Sequence, residues 1–406
     1  MQRIVQPFTV VCICIPKFER TLTPLSLKLR PPLNTPLPPR MVADALWLLT
    51  ARSRGGNHWV SNVHSDIESV DIAGHSYPVT LLNNSDWQES YVASPRSTWL
   101  RYARQEAIRH VAPGFAGIMK AASCLIFGPL SALMHASKLD EAAIIGNYLI
   151  STNLYPQWNA RDIADLTDNM RQRHTDRPLM IRNICPEVSP ELTDNLTAQG
   201  WKMLPSRMIY LCDPQQKTVW KHNHVKQDVK LLADGQVDIV HQEHLKSCDL
   251  HDLRDVFRQL FIDKHSHLNP DFSPAFFELC LETGFLELIG LRWQGRWVGI
   301  LGLYVHPESG WITTPLIGYD TSLPQELGLY RRLMALLLQQ AKERECRLHY
   351  SSGASQFKRA RGGVPALEYT AVYDDHLPKQ QKKYSGIFIK LFQQCAPGML
   401  KRADQL

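Results

Sequence analysis

The sequence predicts an α/β protein, a mixed sheet with flanking helices, built as two similar lobes in tandem. Three observations carry that prediction. The chain has 406 residues, too long for one ordinary core and suited to two. Strand-like and helix-like apolar patterns alternate through its second half. The same alternation recurs at lower contrast in the first half, as an internal repeat would.

In the second half, residues 311–319 form an apolar, β-branched run, and residues 324–344 place Leu327, Tyr330, Leu333, Met334, Leu337 and Leu338 on one helical stripe. A strand at 347–351, a basic helix at 354–361 and a strand at 366–373 follow. Upstream, the runs 286–293 and 297–305 flank Gln294-Gly295-Arg296, a hairpin signal. Helices are expected at 250–261 and 273–282, the latter with Ser273 as N-cap and Pro274 in its first turn, after a first strand at 237–241. The first half repeats the later order: strand 142–152, helix 160–173, strand 179–184, helix 190–199 closed by Gly200, strand 207–212. The expected domains are a degenerate lobe at 41–215, a linker at 216–236, a second lobe at 237–378 and a helical segment at 379–406.

Apolar residues at 44% and charged residues at 21% are near globular averages and exclude wholesale disorder. The net charge of +6 is local: residues 1–40 hold six bases (Arg3, Lys17, Arg20, Lys28, Arg30, Arg40) and one acid (Glu19). The remaining body has a balance of 6 − 5 = +1, no general footprint for nucleic acid. That proline-rich segment reads as a disordered tail, or as untranslated sequence should the start lie at Met41. Nine scattered cysteines without a CxxC pair suggest reduced thiols in a cytoplasmic protein. Residues 111–135 are the most apolar stretch, but Lys120 and Pro129 interrupt it, so a buried, broken helix is expected and not a membrane span.

The two copies differ at the turn between first strand and helix. In the second copy it reads Gly318-Tyr319-Asp320 and then Gln325-Glu326-Leu327-Gly328-Leu329-Tyr330-Arg331-Arg332. A helix start there offers unpaired amides to a phosphate, Gly328 removes a side chain from the approach, and Arg331 and Arg332 add charge. The first copy has Tyr155-Pro156-Gln157-Trp158-Asn159 and no glycine, so the site is expected in the second copy alone. These residues, with Ser352-Gly353-Ala354, Phe357-Lys358 and Glu368-Tyr369 ahead of His376-Leu377-Pro378, resemble the GNAT acyltransferases. More narrowly, they resemble the double-GNAT branch that includes FemAB-like and BioF2-like acetyltransferase-domain proteins, over about residues 142–378. The resemblance implies two GNAT-like lobes with an acyl donor at residues 325–331, Lys358 beside it, and substrate near Tyr319, His265, Asn269, Ser352 and Glu368. One departure is Tyr330, which stands where the family's turn ends on a small residue.

N-acylation requires a neutral amine, donors for an oxyanion and a proton for the leaving group. His349, Tyr350 and Glu287 are the candidate catalytic residues. His349 titrates nearest neutrality, while strand neighbours such as His349 and Tyr350 face opposite sides. The pairs His222/His224, His241/His244 and His265/His267 lack an evident third ligand, and no metal is expected. The main expectation is acyl transfer from acyl-CoA, or from a phosphopantetheine-linked acyl carrier protein, to an amine of a small molecule, lipid or polysaccharide precursor. Aminoacyl transfer from charged tRNA, as in FemAB-like enzymes, is the alternative that the near-neutral body disfavours. A non-catalytic binding module is the third reading.

Overall fold

The computed structural model describes residues 39–82, 89–109 and 116–405. The proline-rich segment up to residue 38 lies outside them. Its first elements are α1 (Pro39–Arg54), β1 (Ser65–Ile72), β2 (His75–Leu82), α2 (Tyr102–Arg109), α3 (Ala116–Ala136) and β3 (Ala143–Ile145). There follow α4 (Ala160–Arg173), β4 (Leu179–Ile184), α5 (Pro190–Ala198), β5 (Lys202–Cys212), α6 (Asn223–Leu232) and β6 (Asp238–His241). Next come α7 (Leu250–Arg258), α8 (Pro274–Thr283), β7 (Glu287–Trp293), β8 (Arg296–His306) and β9 (Trp311–Tyr319). The chain closes with α9 (Leu329–Glu343), β10 (Arg347–His349), α10 (Ser355–Arg359), β11 (Val364–Tyr373) and α11 (Lys379–Gln405). The mixed α/β class expected from the sequence is the class observed.

Among the described residues the strands join one sheet, ordered β1-β2-β3-β4-β11-β5-β10-β9-β8-β7-β6. The pattern is the same from either end. Antiparallel β1-β2-β3 leads to β4 parallel to β3, and antiparallel β7-β8-β9 leads to β10 parallel to β9. The last strand of each half then crosses over: β11 pairs with β4, and β5 with β10. The two exchanged strands meet in an antiparallel ladder running from Val364↔Leu211 to Val372↔Lys202. Each half thus completes its sheet with a strand from the other, which is why the repeat gives one continuous sheet.

Helix α9 buries Leu333, Leu336, Leu337 and Ala341 against Leu301, Leu303 and Leu348 of the sheet. In the first half Ile163, Leu166 and Met170 of α4, with Leu192 and Leu196 of α5, cover Ile145 and Ile181. Each such leucine, isoleucine or methionine contributes about 1.5–3 kcal/mol on burial.

Three expectations are corrected. The strand expected at 142–152 is only Ala143–Ile145. Beyond it side chains replace the ladder: Asn153 Oδ1 accepts from Tyr148 N at 3.0 Å, and Asn183 Oδ1 from Asn153 N at 2.9 Å. Within 111–135, residues 111–115 lie outside the described set; helix α3 then continues through Pro129, and Leu125 is 80% exposed, so it is not a buried, broken helix. Phe127, Leu130 and Leu133 pack it against the cluster that includes Phe388 and Ile389 of α11, and α2 also contacts it. Arg40, read as tail, belongs to α1 and lies 4.0 Å over the Tyr304 ring, donating to Phe285 O at 2.7 Å. No helix among the described residues is long and apolar enough to cross a membrane.

Strand β9 is pressed onto α7 at Gly318, where an added Cβ would lie 2.4 Å from Phe257 Cα. Backbone cannot move aside as a side-chain tip can. Gly318→Ala should therefore cost about 2–3 kcal/mol, measured as a lower denaturation midpoint at unchanged m-value.

Candidate active site

A single register defect opens the cleft. Gly302 of β8 faces Leu316 of β9 and Tyr304 faces Thr313, so Thr314 and Pro315 oppose Leu303 alone. Pro315 donates no ladder bond, and the bulge turns the strand. On the other edge the parallel pairing with β10 ends at His349↔Thr313. The chain after β10 then follows β5, with Tyr350 N bonded to Tyr210 O and Tyr210 N to Ser351 O. Strand β9 and residues 350–354 diverge around a cavity of about 370 Å³.

Asp320 N donates to Val298 O of β8 at 2.9 Å. Strand alternation therefore directs the amides of Ile317 and Tyr319 to the opposite, unpaired edge. Ile317 lines the cavity.

Five tyrosines share the cavity wall, Tyr91, Tyr102, Tyr319, Tyr330 and Tyr350, with Phe261 and His265. The last two come from a π-helical turn, Gln259–His265, that widens the end of α7; the sequence had ended that helix at residue 261. Asn269 Nδ2 donates to Phe261 O at 2.7 Å, securing this turn while its residue lines the cavity.

Lys358 and Arg207 bring charge to the wall, and no carboxylate is among the lining residues. Ser351, Gly353 and Ala354 have φ of 60°, 78° and 49°, a left-handed turn that two non-glycine residues adopt at some cost. It folds the loop so that Lys358, first-turn partner of Ala354 O, donates Nζ to Ser352 O at 2.6 Å and Ser351 O at 3.3 Å. Lys358 is 4% exposed. Burial, with Arg207 nearby, pulls its ammonium down to about 7.

Under the floor lies a buried network. Arg207 Nε donates to Glu368 Oε1 at 2.6 Å, directly across the β5–β11 ladder. The same carboxylate receives Asn183 Nδ2 at 3.0 Å from the first half, and His349 Nε2 stands 3.5 Å away from the second. Arg207 also donates to Ser151 O at 2.8 Å and Thr152 Oγ1 at 2.9 Å. Although burial raises a carboxyl group, Arg207 and the His349 hydrogen bond outweigh it and hold Glu368 down to about 2. Burial lowers His349, which is therefore neutral at pH 7. Its Nδ1 accepts from Ser351 N at 3.1 Å, which assigns the proton to Nε2, toward Glu368.

The turn at α9 surrounds a second cavity of about 190 Å³, walled by Gln325, Gly328, Leu329, Tyr330 and Arg331 and sharing Tyr319 and Tyr330 with the first. Gly328 has φ +61°, and an added Cβ would meet Leu231 Cδ2 of α6 at 2.6 Å. Its lack of a side chain is thus used by α6, while its backbone lines the cavity. The arginines are also engaged. Arg331 pairs with Asp228 at 2.6 Å; fully buried Arg332 pairs with Asp234 at 2.7 Å. Arg361 donates to the other oxygen of Asp228 at 2.5 Å. Tyr330 fills the turn, 4.8 Å from the Phe357 ring centroid, and burial pushes its phenol up to about 12. Leu327 is in the core and Glu326 is exposed.

The structure brings together Tyr350, Tyr319, His265, Asn269, Ser352, Tyr330 and Lys358. His349 and Glu368 lie beneath them. Glu287 is elsewhere, paired with Arg344 at 2.6 Å beside a separate cavity. Sequence reasoning missed Arg207, Tyr91 and Tyr102, though an arginine and a glutamate inside two apolar third strands were a signal for a buried pair. In the first half, Asn147, Asn153 and Arg182 occupy the matching end of β3 and β4: Arg182 Nη1 donates to Asn147 Oδ1 at 3.2 Å and to Val92 O at 2.8 Å.

No family model and no curated protein matches this chain. Similar solved structures include FemX, at TM-score 0.44 and 9% identity over 61% of this chain and 83% of that one. They include L-PGS from Bacillus licheniformis, at 0.41 and 14% over 57% and 78%. A GCN5-related N-acetyltransferase from Kribbella flavida matches at 0.33 and 13%, over 57% and 80%. Identities this low leave the chemistry to be read from the cavity's own residues.

Glu368 links stability to acid. Its carboxyl is held at about 2 against an ordinary 4.5, so its contribution is fully present above pH 4.5 and is lost as pH falls toward 2. Glu368→Gln should cost about 3 kcal/mol at pH 7 by stranding Arg207. Denaturant titrations should also show the variant losing less stability than wild type on acidification from pH 5 to 2.

Proposed function

We propose that this protein is a transferase that passes an aminoacyl group from an ester-linked carrier, of the charged-tRNA class, to an amine bound in the tyrosine-lined cleft. The observation that carries the proposal is Lys358: a buried lysine, in the cleft wall, for which no carboxylate partner exists among the described residues. A neutral amine has two N–H groups and one lone pair. The carbonyls of Ser351 and Ser352 accept both N–H groups, leaving the lone pair to take a proton.

The chemistry then balances. Lys358 Nζ accepts a proton from the acceptor's ammonium, and the freed amine attacks the ester carbonyl. A C–N bond forms, and the oxyanion meets the unpaired amide of Ile317. Collapse breaks the C–O bond, the lysine ammonium returns its proton to the departing alkoxide oxygen, and the second proton lost by the new amide nitrogen passes to solvent. The His349–Glu368–Arg207 network holds the Ser351 turn, and through it the lysine, without touching the reacting atoms. Tyr350, kept protonated by burial, adds wall and no base.

Two features favour an ester carrier over acyl-CoA. The turn that would seat a pyrophosphate is packed by Leu231 and filled by Tyr330, and Arg331, Arg332 and Arg361 are paired with Asp228 and Asp234. A CoA or phosphopantetheine thioester remains the second reading. The small cavity at the first amides of α9, ahead of the Arg332 N to Gly328 O bond, is the observation in its favour.

Lys358→Met should lower kcat by about 10²–10⁴-fold with little change in KM. Wild-type kcat should rise with pH through about 7, as the lysine loses its proton, and the variant should lack that limb. Full activity in the variant would rule out this base. Thermal-shift titration with CoA should leave the melting temperature unchanged. Stabilisation by CoA would favour the thioester donor instead.

A further inference from the structure

Helix α11 is apolar on two sides. Phe388 and Ile389 fix it to the sheet, buried with Met180, Leu204 and Val372, and Phe392 packs beside them. A surface helix held this way ordinarily turns a polar face to water. Here Ile387, Leu391, Cys395 and Met399 recur every four residues, and all are exposed, Ile387 and Leu391 to 39% and Met399 to 68%. They form a slow spiral row along the helix. Lys383 and Lys390 are exposed along it. The helix carries six bases (Lys379, Lys382, Lys383, Lys390, Lys401, Arg402) against one acid, Asp404, a balance of 6 − 1 = +5, whereas the body from residue 41 onward has +1 in all. Helix α3, packed on α11, adds an exposed Leu125.

We propose that α11 docks this protein onto an anionic lipid bilayer, lying in the interface plane. The row from Ile387 to Met399 enters the headgroup boundary, and the flanking lysines meet anionic headgroups. Apolar area alone would suit many partners. The exposed Lys383 and Lys390 along it, on a helix of net +5, select an anionic surface, and in-plane binding needs no membrane-spanning helix. The proposal is independent of the transfer reaction, because α11 lines neither cavity of the cleft.

Co-sedimentation of the full chain with phosphatidylglycerol-containing vesicles and with pure phosphatidylcholine vesicles tests it. The chain should pellet with the anionic vesicles, and high salt or neutral lipid should weaken partition at least tenfold. Lys383→Glu with Lys390→Glu should weaken it by at least about 25-fold, since each surface lysine supplies about fivefold, and separately Leu391→Ser with Met399→Ser should weaken it on the order of tenfold through lost apolar burial. The melting temperature should not move, because these side chains are exposed. Lys358→Met should bind vesicles as wild type does. No partition onto anionic vesicles, equal binding to both lipids, or binding that survives both double variants overturns the proposal.

Discussion

The buried pair of Arg207 and Glu368 is the interaction on which the architecture and the cleft both rest. It joins the two exchanged strands at the centre of the sheet, and each half sends a residue to it, Asn183 from one side and His349 from the other. A buried carboxylate is costly unless fully satisfied, and this one has an arginine, an amide and an imidazole. The pair is weak evidence for stability in itself, since apolar residues of the same shape could serve. What it fixes is register. A one-residue slip of β5 against β11 would strand both charges in the core.

From that point the cleft follows by short steps. Arg207 reaches the backbone at Ser151 and the hydroxyl of Ser351, tying the first half to the turn after β10. That turn presents the carbonyls that hold Lys358. Opposite it, the bulge at Thr314 and Pro315 swings β9 away and leaves the Ile317 amide unpaired. Lys358 and Ile317 thus line one cavity, each placed by backbone geometry. At the matching end of β3 and β4 in the first half, Asn147 instead bonds to Arg182 and Asn153.

Much of the architecture was legible in the sequence because helices and strands bury faces of fixed period. The runs 160–173, 179–184 and 311–319 match α4, β4 and β9 at their ends. The site was legible only in part. Lys358, Tyr319, Tyr330 and Tyr350 were picked out by motif, and Lys358 was assigned to phosphate because a lysine beside a glycine turn suggests an anion. Its burial, which lowers its ammonium to about 7, depends on how tightly residues 351–358 fold back. Gly328 shows the same limit: a glycine reports that something comes close, and only the fold names Leu231 as one such neighbour.

What the sequence by itself determined is most of the elements from β4 to β11, though not α6 in the expected linker, with their repeat and the likeness to the double-GNAT pattern, since periodicity and turn chemistry are local. Only the tertiary structure decided that the third strands change places, that the arginines at α9 are neutralised by α6 and the loop after it, and that Lys358 is buried in the cleft wall with no carboxylate partner among the described residues. Those outcomes depend on which residues meet across about 160 positions of chain, as Arg207 meets Glu368, and pairing between strands of equal apolar pattern is settled by the packing of the whole sheet.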